Sequence, residues 1–306
     1  MIVFQKQPMM RRVLVALAPV CAFSIWLYGA RSLAIAVVSF AVGFLVEWLF
    51  ERKRSGKVSE AVLVTCALYS MSLPPRTPLW IVAVGIAFAV FMAKEVYGGF
   101  GRNVFNPAIA GRLFVYIAFA TVLNKGYAHP GGFGSPGPDV IASATPLAMM
   151  RADPSAAIDL PSLLFGVRPG AVGESPTLLI ALCAVYLMAT KTASWRIIVS
   201  ELAAGTILTA ALYFTGVGGA LPLQGLLAGS YLFVAVFMAT DPISAPKKPL
   251  SQAIYGAFIG CCTVAIRTFS AFPEGTSFGI LLGNTFAPFI DELVTKAQEA
   301  RKGAAA

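Results

Sequence analysis

Charge is scarce in this chain. Asp, Glu, Lys and Arg make up 12% of its 306 residues, against 58% hydrophobic, and the mean hydropathy is +0.77. A soluble domain carries about 25% charged residues, so a surface facing water on all sides is excluded and the bilayer is the natural solvent. Histidine is nearly missing. His129 stands alone, so neither a histidine metal site nor a Ser-His-Asp triad is available, and no Gly-x-Ser-x-Gly occurs. Gly98-Gly99-Phe100-Gly101 lacks the preceding strand that a dinucleotide fingerprint needs, and there is no phosphate loop. A Rossmann site for NADH is therefore excluded, and no catalytic acid–base pair or metal ligand set stands out. The five cysteines (Cys21, Cys66, Cys183, Cys261 and Cys262) all fall in apolar runs without CxxC or Cys/His spacing. They read as small packing residues, with the alternative that one or two face an iron–sulfur cluster on a partner. The formal charge of +9 does not mark a nucleic-acid binder, because the basic residues sit in short clusters at the ends of apolar runs rather than on an aromatic face.

Long apolar runs are abundant. About ten pass the length test for a span, roughly 12–28, 32–50, 59–74, 77–96, 104–123, 175–191, 195–215, 222–240, 251–270 and 276–297. The third and sixth are the shortest, as bent or half-buried helices would be. Lys6, Arg11 and Arg12 precede the first run without a small-residue cleavage site after it, so it reads as a span rather than a signal peptide. With both termini cytoplasmic, the inner segments hold 16 Lys and Arg and the outer ones six, leaving Arg112 aside as intramembrane. That bias follows the positive-inside rule. Weak internal symmetry is present: Met71 to Pro75 is echoed by Met238 to Pro242, and Phe105-Asn106-Pro107 by Asn284 to Pro288. The expected fold is an all-α polytopic membrane protein of about ten transmembrane helices in two inverted five-helix repeats, residues 1–123 and 175–306. Ordinary Pro and Gly punctuation of a polytopic chain is the alternative. Between the halves lies a polar, Gly/Pro-rich loop, 124–174, placed on the non-cytoplasmic side.

Acids inside spans are site candidates, since lipid-facing charge is costly. Glu47 and Glu201 are the deepest. Glu95 and Asp241 end spans and Glu60 begins one, positions where capping or pairing with a base serves equally well. Arg112 is intramembrane and pairs with an acid of another span or holds a flavin or quinone oxygen.

These residues, taken in order, carry a resemblance. Leu73-Pro74-Pro75, Lys94-Glu95-Val96-Tyr97-Gly98-Gly99, Gly101-Arg102-Asn103, Asn106-Pro107-Ala108, Ala144-Thr145-Pro146-Leu147, Ser194-Trp195-Arg196, Phe237 to Pro242 and Phe272 to Gly275 resemble the NqrB/RnfD family from about Arg12 to Glu292. Those are membrane flavoprotein subunits of the sodium-translocating NADH:quinone oxidoreductase and of the Rnf ferredoxin:NAD oxidoreductase. The resemblance implies FMN bound through a phosphoester to Thr145, installed by a separate flavin transferase that reads Asp139. It implies cofactor contacts from Ser143, Ala144 and Arg112. It also implies quinone as substrate near Gly43 and Glu47, a riboflavin cofactor, and an ion path for which Glu47, Glu95, Glu201 and Asp241 are candidates. The implied partners are a second FMN-carrying subunit, two small membrane subunits with an iron–sulfur cluster, and NADH- or ferredoxin-reactive subunits. The implied location is the bacterial inner membrane. The chain departs from the family at Ala142-Ser143, where Ser-Gly is usual before Ala-Thr, and at Phe44, where a second Gly often stands. Its length is similar to the Rnf members, its wording to the Nqr members. The alternative from another class is a non-redox solute channel or transporter on the same scaffold.

Overall fold

The computed structural model describes residues 3–131, 144–153, 158–217, 221–270, 272 and 275–303. Asp139 and Ser143 lie outside the described residues. The described chain is mostly helical with almost no strand: a multi-pass, all-α membrane protein. The two strands are β1 (Val3–Gln5) and β2 (Lys57–Ser59), a short parallel pair in which Phe4 faces Val58. The sequence pattern does not announce this pairing.

The first half comprises α1 (Pro8–Tyr28), α2 (Ala30–Arg54), α3 (Ala61–Met71), α4 (Leu79–Val90), α5 (Pro107–Ala118) and α6 (Ala120–Asn124). Pro8 opens α1 and Gly29, at φ 70°, turns the chain into α2. Both are placed where their backbone preferences help. Three basic residues close α2, matching the negative end of its dipole. Then come α7 (Pro146–Ala152) and α8 (Leu160–Phe165), followed by α9 (Thr177–Ala189), α10 (Trp195–Phe214), α11 (Pro222–Leu227), α12 (Tyr231–Phe237), α13 (Pro249–Phe269) and α14 (Thr276–Gly303).

Among the described helices, α1, α2, α10 and α13 are long and apolar enough to cross a membrane. Large apolar side chains such as Trp26, Val37, Leu182, Val199 and Ile207 point outward from the bundle, as a lipid-facing surface requires. The run 222–240, expected as one span, is instead α11 and α12, broken at Ala228–Ser230. The run 59–74 shortens to the 11 residues of α3.

Such breaks expose backbone groups that lipid cannot satisfy. The chain satisfies them from its own loops. Where α3 ends, the carbonyls of Met71 and Leu73 accept from the amides of Gly173 and Val172 at 2.6 and 2.9 Å. The end of the polar segment expected as an outer loop is thus threaded into the first half, and the Ser24 hydroxyl donates to the Val172 carbonyl at 2.6 Å. Where α12 ends, the Met238 carbonyl accepts from the Asn106 side chain at 3.2 Å.

Candidate functional site

Two polar regions are built into the apolar bundle. The first lies at the ends of α2 and α4. The last turn of α4 widens into a π-helical stretch, Phe91–Glu95, and three consecutive residues, Ala93, Lys94 and Glu95, are buried there. Lys94 and Glu47 are 2% and 1% exposed, with Nζ 2.5 Å from Glu47 Oε2. The Ser59 amide and hydroxyl donate to Glu47 Oε1 at 2.8 and 2.5 Å, and Lys94 also donates to the Ser59 hydroxyl at 2.7 Å. Glu47 is thus a fully bonded member of a buried cluster. Beside it, Arg54 bridges Glu51 and Glu95, both at 3.1 Å. Gly99, at φ 89°, passes so close that a Cβ would stand 2.5 Å from Glu51 Oε1.

Glu60 lies at this end. Arg11 Nη2 donates to its Oε1 at 2.5 Å and the Gln7 amide to its Oε2 at 2.7 Å. These hydrogen bonds, Arg11's first, hold its carboxyl below the ordinary value. Pairing with a base, one of the two readings open from sequence, is what the structure shows. Gly43 is a packing position: a Cβ there would stand 2.4 Å from the Cys66 sulfur. Phe44 beside it meets the Phe4 ring, centroids 5.8 Å apart.

Further in, the two halves meet at a small cavity of about 50 Å³, lined by Lys94, Asn103, Asn106, Thr240 and Asp241 among others. Asn106 caps α5, its amide donates to Asn284 Oδ1 at 3.1 Å, and Asn284 donates to the Tyr255 hydroxyl at 2.8 Å. Asp241 accepts from the Ile243 amide and the Ser244 hydroxyl at 3.2 and 3.0 Å, so it braces its own turn.

The second region is on the other side. Thr145 caps α7, its hydroxyl oxygen accepting from the Ala148 amide at 3.2 Å. Thr145 is half-buried and Ala144 exposed. A few residues along, Leu147, Met150 and Arg151 form one wall of a cavity of about 210 Å³. Its other walls include Gly205 and Thr209 of α10, Tyr231 of α12, and Val264 and Arg267 of α13. Arg267 stacks over the Tyr231 ring at 5.2 Å and donates to the carbonyls of Gly225 and Ala228 at 2.8 and 3.3 Å. Arg112, fully buried, donates to the Ser230 hydroxyl at 3.1 Å, which in turn pairs with Thr276 at 2.9 Å. Ser230 is two residues past Ala228, which packs on Leu147 and Met150. Arg112 is therefore tied to the break between α11 and α12, under the helix that Thr145 caps.

Glu201 lies one turn along α10 from Gly205 and is fully buried. Neither carboxyl oxygen has a hydrogen-bond partner among the described residues. The structure thus divides the four acids expected along an ion path. Glu47 and Glu95 share the first cluster, Asp241 lies at the cavity between the halves, and Glu201 lies apart from both cavities' linings, one turn along α10 from Gly205.

Lys94, Ser59, Tyr231 and Arg267 are site residues that the sequence reading does not single out. Lys94 carries a usable signal, a lysine next to an intramembrane acid. Arg267 carries a weaker one, a lone base near the end of a long apolar run.

Residues 4–299 match the model of the NQR2, RnfD, RnfE family. The Na(+)-translocating NADH-quinone reductase of Chromohalobacter salexigens has a subunit, the one lettered B, that is 39% identical over 291 residues, covering 91% of this chain and 70% of that protein. Its counterpart of the same letter from Azotobacter vinelandii is 37% identical over 285 residues, 90% of this chain and 69% of that one. That of Pseudomonas aeruginosa PAO1 is 34% identical over 287 residues, with coverages of 90% and 69%.

Proposed function

The chain belongs to the NQR2, RnfD, RnfE family, and from that membership we propose that it is the membrane flavoprotein subunit of a redox-driven, ion-translocating complex of Nqr or Rnf type. Electrons are carried on FMN joined by a phosphoester to Thr145, and their passage is coupled to movement of Na+ or H+. The observation that carries this reading is the cavity beside Thr145. Its apolar walls, Leu147, Met150 and Val264, suit the faces of a flat aromatic ring, and Arg151 and Arg267 line it with positive charge. The half-buried Thr145 hydroxyl is within reach of a modifying enzyme, and its helix packs at the cavity wall.

When bound, FMN supplies one- and two-electron chemistry. The chain's own part is to tether the group at the bundle surface, shield it with apolar side chains and set the local charge through Arg267. The reading extends to riboflavin and quinone on the opposite side, as the resemblance implies. The small cavity by Lys94, Asn106 and Asp241 is where this chain offers polar groups on that side.

The wider arrangement proposed is ten spans in two inverted halves, 1–123 and 175–306, joined by segment 124–174 with its threonine outside. Both termini then lie on the cytoplasmic side of the inner membrane. A short helix followed by Leu73-Pro74 in one half and by Asp241-Pro242 in the other supports that plan. The proposed partners are a second FMN subunit, two small membrane subunits sharing an iron–sulfur cluster, NADH- or ferredoxin-reactive subunits, and the flavin transferase.

The test is a denaturing gel under ultraviolet light after co-expression with the transferase. A fluorescent band at the chain's mass that is lost in Thr145→Ala is expected. A dark wild-type band overturns the reading and favours a non-redox transporter.

A further inference from the structure

The bundle carries a groove on its lipid-facing wall that the flavin reading does not use. About 430 Å³ in volume, it lies where α5 of the first half packs beside α14 of the second. Phe88 of α4, Phe105, Phe114 and Ile117 on or next to α5, and Leu281 of α14 line it, with the small side chains of Ala110 and Ala118 between them. Every lining residue is apolar. Ile117 and Ala118 are exposed and the others half-buried, so the groove opens sideways, toward lipid rather than into the core. From Ala110 to Ala118 it runs about 12 Å along α5, most of the roughly 15 Å that one leaflet contributes to a bilayer's hydrocarbon core.

Aromatic rings continue the groove toward the end of the bundle opposite the Glu47 cluster. Phe88 stacks on Phe114 at 4.1 Å, Phe114 meets Phe119 edge-on at 6.4 Å, and Phe119 meets Trp80 edge-on at 5.1 Å. Trp80 is 57% exposed, as an indole at the membrane–water boundary is. Beyond Trp80, three exposed cations converge from separate segments. The Arg76 amide donates to the Gly126 carbonyl at 3.1 Å, which sets Arg76 beside Lys125. Arg31 of α2 reaches across to donate to the Thr77 carbonyl at 3.1 Å. Among the described residues neither Arg31 nor Lys125 pairs with an acid. Of the six Lys and Arg that the sequence leaves at this end, three meet here.

Cations, then an interfacial indole, then a hydrocarbon groove complement the parts of a phospholipid in order: phosphate, glycerol ester, acyl chain. An apolar helix of a partner complements the groove but not the cations. We propose that this is a binding site for one anionic phospholipid, with its phosphate among Arg31, Arg76 and Lys125 and an acyl chain in the groove. The chain lies across the seam of the two halves. Phe105 adjoins Asn106 and Leu281 is one turn before Asn284, the pair whose hydrogen bond at 3.1 Å joins α5 to α14. Bound lipid fills the space beside that bond and fastens the halves together. The site depends on the chain's place in the membrane and not on flavin.

The test is the thermal midpoint of the detergent-purified full chain, stripped of lipid and titrated with phosphatidylglycerol, with phosphatidylcholine of the same acyl chains, or with inorganic phosphate. Phosphatidylglycerol is expected to raise the midpoint saturably, phosphatidylcholine only at concentrations about tenfold higher, and phosphate not at all. In Arg31→Gln with Lys125→Gln, the phosphatidylglycerol concentration for half the effect is expected to rise about 25-fold, about fivefold for each cation near a lipid surface. Lys247→Gln with Lys248→Gln, at the other end of the bundle, is expected to leave it unchanged. Equal responses to the two lipids, or an unaltered titration in the Arg31, Lys125 variant, overturn the headgroup site. Protection by phosphate alone makes it an ion site and overturns the lipid. Ile117→benzoylphenylalanine, a photoreactive side chain, reads the groove in native membranes. A crosslink to phospholipid is expected; a crosslink to another polypeptide gives the groove to a partner subunit and overturns the acyl-chain part. In Thr145→Ala the lipid response is expected to persist without the fluorescent band, which separates the lipid site from the flavin reading.

Discussion

The two polar regions solve the same physical problem differently. In the Glu47–Lys94–Ser59 cluster each of the named charged groups is met by an opposite charge or a donor at 2.5–2.8 Å. At Glu201 the carboxyl is equally buried and meets no donor among the described residues. The contrast teaches that depth alone does not mark function. A buried acid with its partners in place secures the packing of α2 against the end of α4. A buried acid without them has its bonding capacity left for something else.

The largest expected effect breaks the satisfied side. Lys94→Met leaves Glu47 charged, buried and unpaired, and is expected to cost about 3–5 kcal/mol, read as a fall in thermal midpoint of the detergent-solubilised chain. Adding Glu47→Gln is expected to restore most of the loss. If it does not, the pair is not what holds this region.

Next comes Gly43→Ala. Its methyl meets the Cys66 sulfur, so overpacking of about 1–3 kcal/mol is expected. Cys66→Ala in the same chain relieves it. A loss of quinone reactivity in Gly43→Ala that Cys66→Ala also repairs would assign Gly43 to packing rather than to ligand contact.

A smaller effect sharpens the edge of the first cluster. Arg11 lowers the Glu60 carboxyl's affinity for protons in the folded chain relative to its ordinary value of 4.5. The folded state therefore gains from this pair above that value and loses it as pH falls through the lowered one. Attachment of the N-terminal strand is expected to loosen in that acid range, seen as faster amide exchange at Val3–Gln5. In Arg11→Gln this acid step shrinks, because the Gln7 amide still bonds the carboxyl. The smallest expected change in stability is at Glu201→Gln. No donor is lost, so the thermal midpoint is expected to move by less than about 1 kcal/mol, against the large effect at Lys94.

Much of the architecture is legible in the sequence. Apolar runs and basic clusters announce a membrane bundle, since a bilayer imposes length and charge rules that any window of the chain shows. Glu47, Glu95, Glu201 and Asp241 stand out because acids are rare in such runs. Their differences do not. Lys94 meets Glu47 from 47 positions away, from a stretch at the end of α4 that is π-helical. Nothing in Phe91-Met92-Ala93-Lys94-Glu95 signals that widening. The break between α11 and α12 is hidden too, because both pieces are apolar and together have the length of a span. The threading of Val172 and Gly173 against the end of α3 joins segments some hundred positions apart, and no local pattern encodes it. Asp139 and Ser143 remain readings from sequence, as they lie outside the described residues.

Composition, span lengths and the Ala144-Thr145-Pro146-Leu147 wording were enough to name the solvent, the family and the expected attachment residue, because each is a local property of the chain. Which acids are satisfied, which cavity lies beside Thr145, and which glycines bring backbones into contact are sums over distant segments. They come into being when the helices pack, for a hydrogen bond or its lack depends on what another part of the chain brings within about 3 Å.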